Sequence, residues 1–246
     1  MIYIIALSLL ALIVIFVRRY LIVVRGVHLE QMIFNESEKA TKGLLKTFHV
    51  KRKPKVEHGD KSTQVKIYYT QAMASYENGE LAESQEHFEK VYKMDKNFKD
   101  ASKKLGLIYL KKELFDKAED IFRDLIVINE EDAVAHSNLG RALYEQKKFQ
   151  EALEAYLKSI ILDSSRAGRF ISIAEVYRAM KDNLKAEEMY KKAIDLDSQN
   201  VNYLLAFADF QHELGKNSQA KYYLRLALNE DPTNRIALEM LNEIEG

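Results

Sequence analysis

A small residue recurs every 34 positions along this chain: Ser84, Ala118, Ala152, Ala186 and Ala220. Around each the same pattern returns, and the intervening length never changes. A constant period of that size marks a stack of identical two-helix units, each burying its apolar face only against its neighbours. The fold class predicted is all-α: an α-solenoid of five tandem helix pairs. A stack of this kind is suited to displaying a surface to a partner.

Aligned without insertion, the units run 65–98, 99–132, 133–166, 167–200 and 201–234. Their eighth position is always small: Ala72, Gly106, Gly140, Ala174 and Ala208. The twenty-fourth is bulky: Phe88, Phe122, Tyr156, Tyr190 and Leu224. The seventh is apolar in four units (Leu105, Leu139, Ile173, Phe207), with Gln71 in the first. The twenty-seventh is Val91, Leu125, Ser159, Ala193 or Ala227. Small against large at fixed offsets is how helices interdigitate.

Over 170 of 246 residues these positions resemble the tetratricopeptide-repeat family. The fourth position departs from the family's aromatic in three units, which hold Ser102, His136 and Leu204, and the closing proline survives only as Pro232. Gly79, Gly215 and polar runs such as 197–200 supply helix breaks instead. Residues 235–246 begin a sixth first helix and stop. Ile236, Leu238, Leu241 and Ile244 are expected to cover the apolar face left by the fifth unit, the task of a capping helix.

The N-terminus carries the second strong signal. Ile2–Val17 is an uncharged run of 16 almost wholly apolar residues. As a helix it reaches about 24 Å, and Arg18 and Arg19 can snorkel while 20–24 extend the run toward the ~30 Å hydrocarbon layer. Residues 1–24 are predicted to form a single transmembrane anchor. A cleaved signal peptide would need basic residues before the run and a small-residue cleavage site, and neither is present. Arg18, Arg19 and Arg25 follow the run, and seven further Lys/Arg continue to Lys55. The positive-inside rule then places the N-terminus outside and the repeats in the cytoplasm.

Charge is balanced over the chain but segregated within it. Residues 18–64 hold 11 Lys/Arg against 5 Asp/Glu, and the rest hold 26 against 32. A basic segment is favoured beside an anionic leaflet by about 1 kcal/mol per charge. Residues 25–64 therefore read as a basic juxtamembrane segment, of which 51–63 form a flexible tether. Two readings of 29–48 stand open: an interfacial helix on the membrane, or a helix packed on the first repeat. The short run Lys51-Arg52-Lys53 beside an anchor does not point to nucleic acid.

No motif for chemistry appears. The six histidines are scattered without paired metal-ligand spacing, and there is no cysteine for thiolate sites or nucleophiles. No phosphate-binding glycine loop and no nucleophile elbow occurs. Acidic neighbours such as Glu130/Glu131 read as solvated helix faces, and His136 as a packing residue. No metal site, cofactor, nucleic-acid partner or small-molecule substrate is expected, and the chain reads as non-enzymatic.

In the family, the first helix of each unit lines a concave groove, with its second, fifth, sixth, ninth, twelfth and thirteenth positions facing the ligand. The resemblance then implies groove residues Tyr69, Met73, Tyr76, Lys103, Leu107, Leu110, Asn138, Arg141 and Tyr144 in the first three units. Ser172, Glu175, Arg178, Asp209 and His212 follow in the last two. The N-terminal half is apolar and aromatic with a few cations; the other half is charged and mixed. Aromatic anchors beside Arg are the stuff of interface hot spots, so the expected partner is a peptide or amphipathic helix, with an acidic group near Lys103 and Arg141. The two-carboxylate clamp of chaperone-binding repeats is met only by Lys103 and Asn138. Leu107, Gly168 and Ser172 stand where it needs Asn, Lys and Arg. The layout also resembles bacterial inner-membrane adaptors and, more distantly, mitochondrial import receptors. Two functions follow: a membrane-anchored scaffold, or a non-catalytic regulatory subunit of a membrane enzyme, envelope-assembly or secretion complex.

Overall fold

The computed structural model describes residues 60–245. Within them lie eleven helices and no strand. The pairs are α1 (Lys61–Glu77) with α2 (Leu81–Met94), α3 (Lys99–Lys111) with α4 (Phe115–Ile128), and α5 (Ala133–Glu145) with α6 (Phe149–Leu162). They continue as α7 (Ala167–Ala179) with α8 (Asn183–Leu196), and α9 (Val201–Glu213) with α10 (Asn217–Glu230), before the single α11 (Arg235–Glu245). The expected all-helical solenoid is what these residues form. The predicted anchor, and the basic segment as far as residue 59, lie outside the described residues. Lys61, Ser62 and Thr63 do not: they are helical in α1, so the tether expected through residue 63 does not include them. Among the described residues no helix is long and apolar enough to cross a membrane.

The close approach within each pair follows from its small eighth residue. A Cβ placed on Gly106 would stand 2.7 Å from Cζ of Phe122, and one on Gly140 would stand 2.8 Å from Cδ1 of Tyr156. In these two units the bulky twenty-fourth residue therefore lands on the small one of its own unit. Tyr190 also reaches forward, its ring 5.4 Å from Phe207 and 5.1 Å from Phe210 in the next unit. Phe88, Phe122 and Tyr190 are fully buried, and truncating such a core aromatic costs about 3–5 kcal/mol.

The turn between the two helices of every unit is the same. Its central residue takes a positive φ: Gly79 (82°), Glu113 (59°), Lys147 (62°), Lys181 (61°) and Gly215 (71°). Each time the following N–H crosses back to the last helical turn, as from Leu114 to the carbonyl of Tyr109 or from Asp182 to that of Tyr177. This is a Schellman end, which frees the chain to reverse direction. Between units the break comes from an Asp or Asn closing each second helix: Asp95, Asn129, Asp163, Asp197 and Asp231. In four of them the side-chain oxygen accepts an N–H two residues on, at 3.0 Å for Asp95 and Asp163. Asp197 instead accepts from the Asn200 amide at 3.0 Å.

One ion pair recurs at alternate unit boundaries. Glu119 of α4 accepts from Arg123, Gln146 and Lys148, the last at 2.9 Å across the unit boundary. Two units on, Glu187 accepts from Lys191 and, across the next boundary, from Lys216 at 2.7 Å. The corresponding places between the third and fourth units hold Leu153, which is buried, and Asp182.

The terminal helix caps the stack with only part of the face expected: Leu241 and Ile244 take part, Ile236 and Leu238 do not. Ala237 is buried, and Met240, Leu241 and Ile244 pack on the cluster of Leu204, Leu205, Ala208, Leu224 and Ala227. Ile236 and Leu238 are 54% and 42% exposed and do not take part. The helix starts at Arg235, with Asn234 accepting the Ala237 N–H, and that phase rotates Ala237 inward instead of its neighbours.

Candidate functional site

The first helices of successive units touch one another: α3 with α5, α5 with α7, α7 with α9. Second helices do not approach each other as closely, so the first helices form the inner, concave wall. Helix ends set which of their side chains face it.

At the N-terminal end, Tyr69 is half-buried between Phe88 (6.0 Å) and Phe98 (4.7 Å), and Met73 packs on the same core. Tyr76 is half-buried too, with Lys104 Nζ 4.6 Å from its ring. Leu110, expected in the groove, is 3% exposed and belongs to the core. One turn earlier, Leu107 is 38% exposed. Lys103 is already matched: its Nζ lies 2.7 Å from Asp132, whose other oxygen caps α5 at the N–H groups of Val134 and Ala135.

The central unit is the least committed part of the wall. Arg141 is exposed and makes no ion pair among the described residues. Tyr144 is partly exposed, its ring 5.7 Å from Phe149, and burial of the ring pushes its hydroxyl pKa up. Asn138 is partly buried beside them. His136 lies off the groove, its Nε2 3.0 Å from the Glu130 carbonyl.

The C-terminal half is internally satisfied. Arg178 donates to Asp209 at 2.8 Å and to Glu213 at 2.6 Å, joining α7 to α9, and stands 3.9 Å from Glu175. Glu175 accepts the Tyr190 hydroxyl, and burial together with that carboxylate drives the Tyr190 pKa far above its ordinary value. Ser172 donates to the Gly168 carbonyl, and His212 pairs with Asn217.

One recess was not anticipated. A cavity of about 600 Å³ opens at the N-terminal ends of α5, α7 and α9, lined by Val134, Asn138, Arg166, Gly168, Leu196 and Tyr203, with Ser137, Asp197 and Arg169 also at its wall. Arg169 is 5% exposed and held at 2.7 Å by Asp163, while Arg166 is 71% exposed and only 3.8 Å from the same carboxylate. Ser137, Asn138 and Tyr203 form no side-chain hydrogen bond among the described residues. Arg166 sits at an inter-unit turn and Tyr203 at a third position, both outside the family's groove map. Asn138 is among the expected groove residues, and a further sequence signal is Gly168, where the other units carry Lys66, Asp100, Val134 and Asn202.

A superhelix of helix pairs with a half-satisfied concave wall defines a repeat protein of the protein-interaction class. Tetratricopeptide-repeat models match residues 69–133, 133–165 and 169–200, together more than half of the chain, and the chain belongs to that family. No curated protein matches it in sequence. Among solved structures it is similar to MamA (23% identity, TM-score 0.62, covering 70% of this chain and 93% of that one). It is also similar to PilF of Pseudomonas aeruginosa (20%, TM-score 0.59, 75% and 88%). YrrB, described as a TPR protein with an unusual peptide-binding site, shares 15% (TM-score 0.58, 74% and 98%). At these identities the likeness is one of fold.

Proposed function

We propose that this chain is a membrane-anchored scaffold whose concave wall holds a peptide or amphipathic helix of a partner protein. The observation that carries the reading is the contrast along that wall. Leu107, Asn138, Arg141 and Tyr144 offer apolar, aromatic and cationic surface without full internal partners, whereas Glu175, Arg178 and Asp209 satisfy one another. An aromatic ring next to an unpaired guanidinium is the composition of interface hot spots. The likeness to YrrB, a peptide-binding repeat protein by its description, agrees with this reading. The anchor is inferred from the uncharged run Ile2–Val17 and the arginines that follow it, which also orient the repeats toward the cytoplasm. Lys103 is not available as a hand-hold, since Asp132 occupies it.

A second reading, a fixed regulatory subunit gripped from outside, is favoured by one observation. Val127 and Ile161, equivalent residues of the second helices α4 and α6, are 81% and 76% exposed. Photo-crosslinking in intact membranes separates the two, with the reactive group at Tyr144 in the groove or at exposed Lys158 on α6. A discrete adduct from Tyr144 alone supports the scaffold. An adduct from Lys158 with none from Tyr144 refutes the groove and favours the subunit.

A further inference from the structure

We infer that the recess between α5, α7 and α9 is the specificity pocket of the groove, and that it takes an acidic side chain flanked by an apolar one within a partner peptide. The inference rests on the groove reading above and adds what the partner must carry. The cavity's volume is within the ~300–1,000 Å³ of pockets that bind small groups specifically. Its polar content is donor-rich. The Arg166 guanidinium reaches into solvent, held only loosely by Asp163 at 3.8 Å because Arg169 already occupies that carboxylate at 2.7 Å. The Asn138 amide and the hydroxyls of Ser137 and Tyr203 add donors that have no other hydrogen-bond partner among the described residues. A carboxylate accepts from donors of this kind, and a charge-assisted bond to a guanidinium is roughly twice as strong as a neutral one.

The count of charges sets the ligand at one carboxylate. Arg166 is the single loosely held cation of the recess, and Asp197 on the same wall repels a second anion. A chain terminus that brings both its own carboxylate and an acidic side chain is therefore disfavoured. An internal Asp or Glu fits. Val134 and Leu196, lining residues that are 46% and 51% exposed, supply the apolar contact for its neighbour.

The test titrates the full chain in detergent micelles with acetyl-Leu-Glu-Leu-amide, acetyl-Leu-Gln-Leu-amide and acetyl-Leu-Gln-Leu with a free carboxylate. Amide shifts of Ser137, Gly168 and Leu107 are followed. The expected result is saturable shifts at Ser137 and Gly168 with the Glu amide, and at least fivefold weaker binding of the Gln amide. Arg166→Gln abolishes that preference, while Arg235→Gln, an 85% exposed arginine elsewhere, leaves it intact. Equal binding of the Glu and Gln amides, a preference that survives Arg166→Gln, or no shift at Gly168 with any probe overturns the pocket. Shifts at Gly168 only with the free-carboxylate Gln peptide overturn the internal-acid reading in favour of terminus recognition. Shifts at Leu107 without Gly168 refute the pocket and spare the groove. A groove that has failed the Tyr144 crosslink refutes both.

Discussion

Replacing Gly140 by alanine tests whether the fit between helices is set unit by unit. The new Cβ would stand 2.8, 2.8 and 2.9 Å from Cδ1, Cγ and Cδ2 of Tyr156, against the body of the ring and not its tip. Tyr156 is 4% exposed, so the ring has no room to swing away. Overpacking of this kind costs about 1–3 kcal/mol. Against it, alanine is a better helix former than glycine by about 1 kcal/mol. The net expected loss is about 1 kcal/mol, or roughly 2–4 °C in Tm for a domain of this size. Alanine already occupies the same place opposite a tyrosine in the Ala174–Tyr190 pair, where it is fully buried. Ala174→Gly should therefore also destabilise, by about 1 kcal/mol, through lost contact and lost helix propensity. The assay is urea unfolding followed by far-ultraviolet circular dichroism, with both variants beside the parent. If Gly140→Ala instead gains the full propensity of alanine, the helices of that unit are free to relax and the argument for a locally matched fit is wrong.

Three further outcomes follow from the structure. Lys181→Gly at a φ of 61° should stabilise by about 0.5–1 kcal/mol, because a left-handed L-residue costs about 1–2 and glycine returns part of that as chain entropy; an unchanged urea midpoint refutes it. For Glu119, burial pushes the carboxyl up, but hydrogen bonds from Lys148, Gln146 and Arg123 outweigh it and hold the pKa down at about 2. A depressed carboxyl stabilises above its unfolded value near 4.5 and loses that contribution as pH falls toward 2. Glu119→Gln should therefore cost on the order of 1–3 kcal/mol at pH 7, with the gap to the parent closing between pH 4.5 and 2; a gap independent of pH in thermal melts excludes the linkage. Arg178→Gln should loosen the junction between the fourth and fifth units, raising amide hydrogen exchange in α9 and α11 well above that in α3; uniform exchange across the stack would show that the fork to Asp209 and Glu213 does not hold that junction.

What could be read in the sequence was whatever repeats at fixed register. The small eighth and bulky twenty-fourth residues are buried in every unit, so five copies of one packing rule averaged out the exceptions. The turn geometry was hidden for the opposite reason. Glycine marks the left-handed position at 79 and 215, but Glu113, Lys147 and Lys181 take the same φ, held there by Schellman bonds that composition does not reveal. The column of Asp and Asn closing each second helix stands in the sequence, where four of the five units lack the family's closing proline. Leu110 is expected in the groove because the family's twelfth position, shared with Tyr76, Tyr144, Arg178 and His212, faces the ligand. A side chain with a polar tip at that edge can keep the tip in water, whereas leucine turns inward. The pairing of Lys103 with Asp132 depends on the cap of the next unit and lies beyond any local pattern.

The division of the groove constrains where binding energy can arise. A ligand that addressed Arg178 would first have to displace Asp209 or Glu213, giving up half-exposed ion pairs of up to about 1 kcal/mol each before gaining any. The same holds for Glu175, which accepts from the buried Tyr190, and for Lys103 on Asp132. These three charged residues serve as cross-ties that fix the spacing of the helices. No such debt attaches to Arg141, Tyr144 and Asn138, nor to Arg166 at the recess, and all four lie in or beside the third unit. The wall thus pairs a rigid, self-bonded frame with one open segment. A rigid open segment lowers the ordering cost of association, so most of the affinity for a partner should concentrate in α5 and the turn that leads into α7.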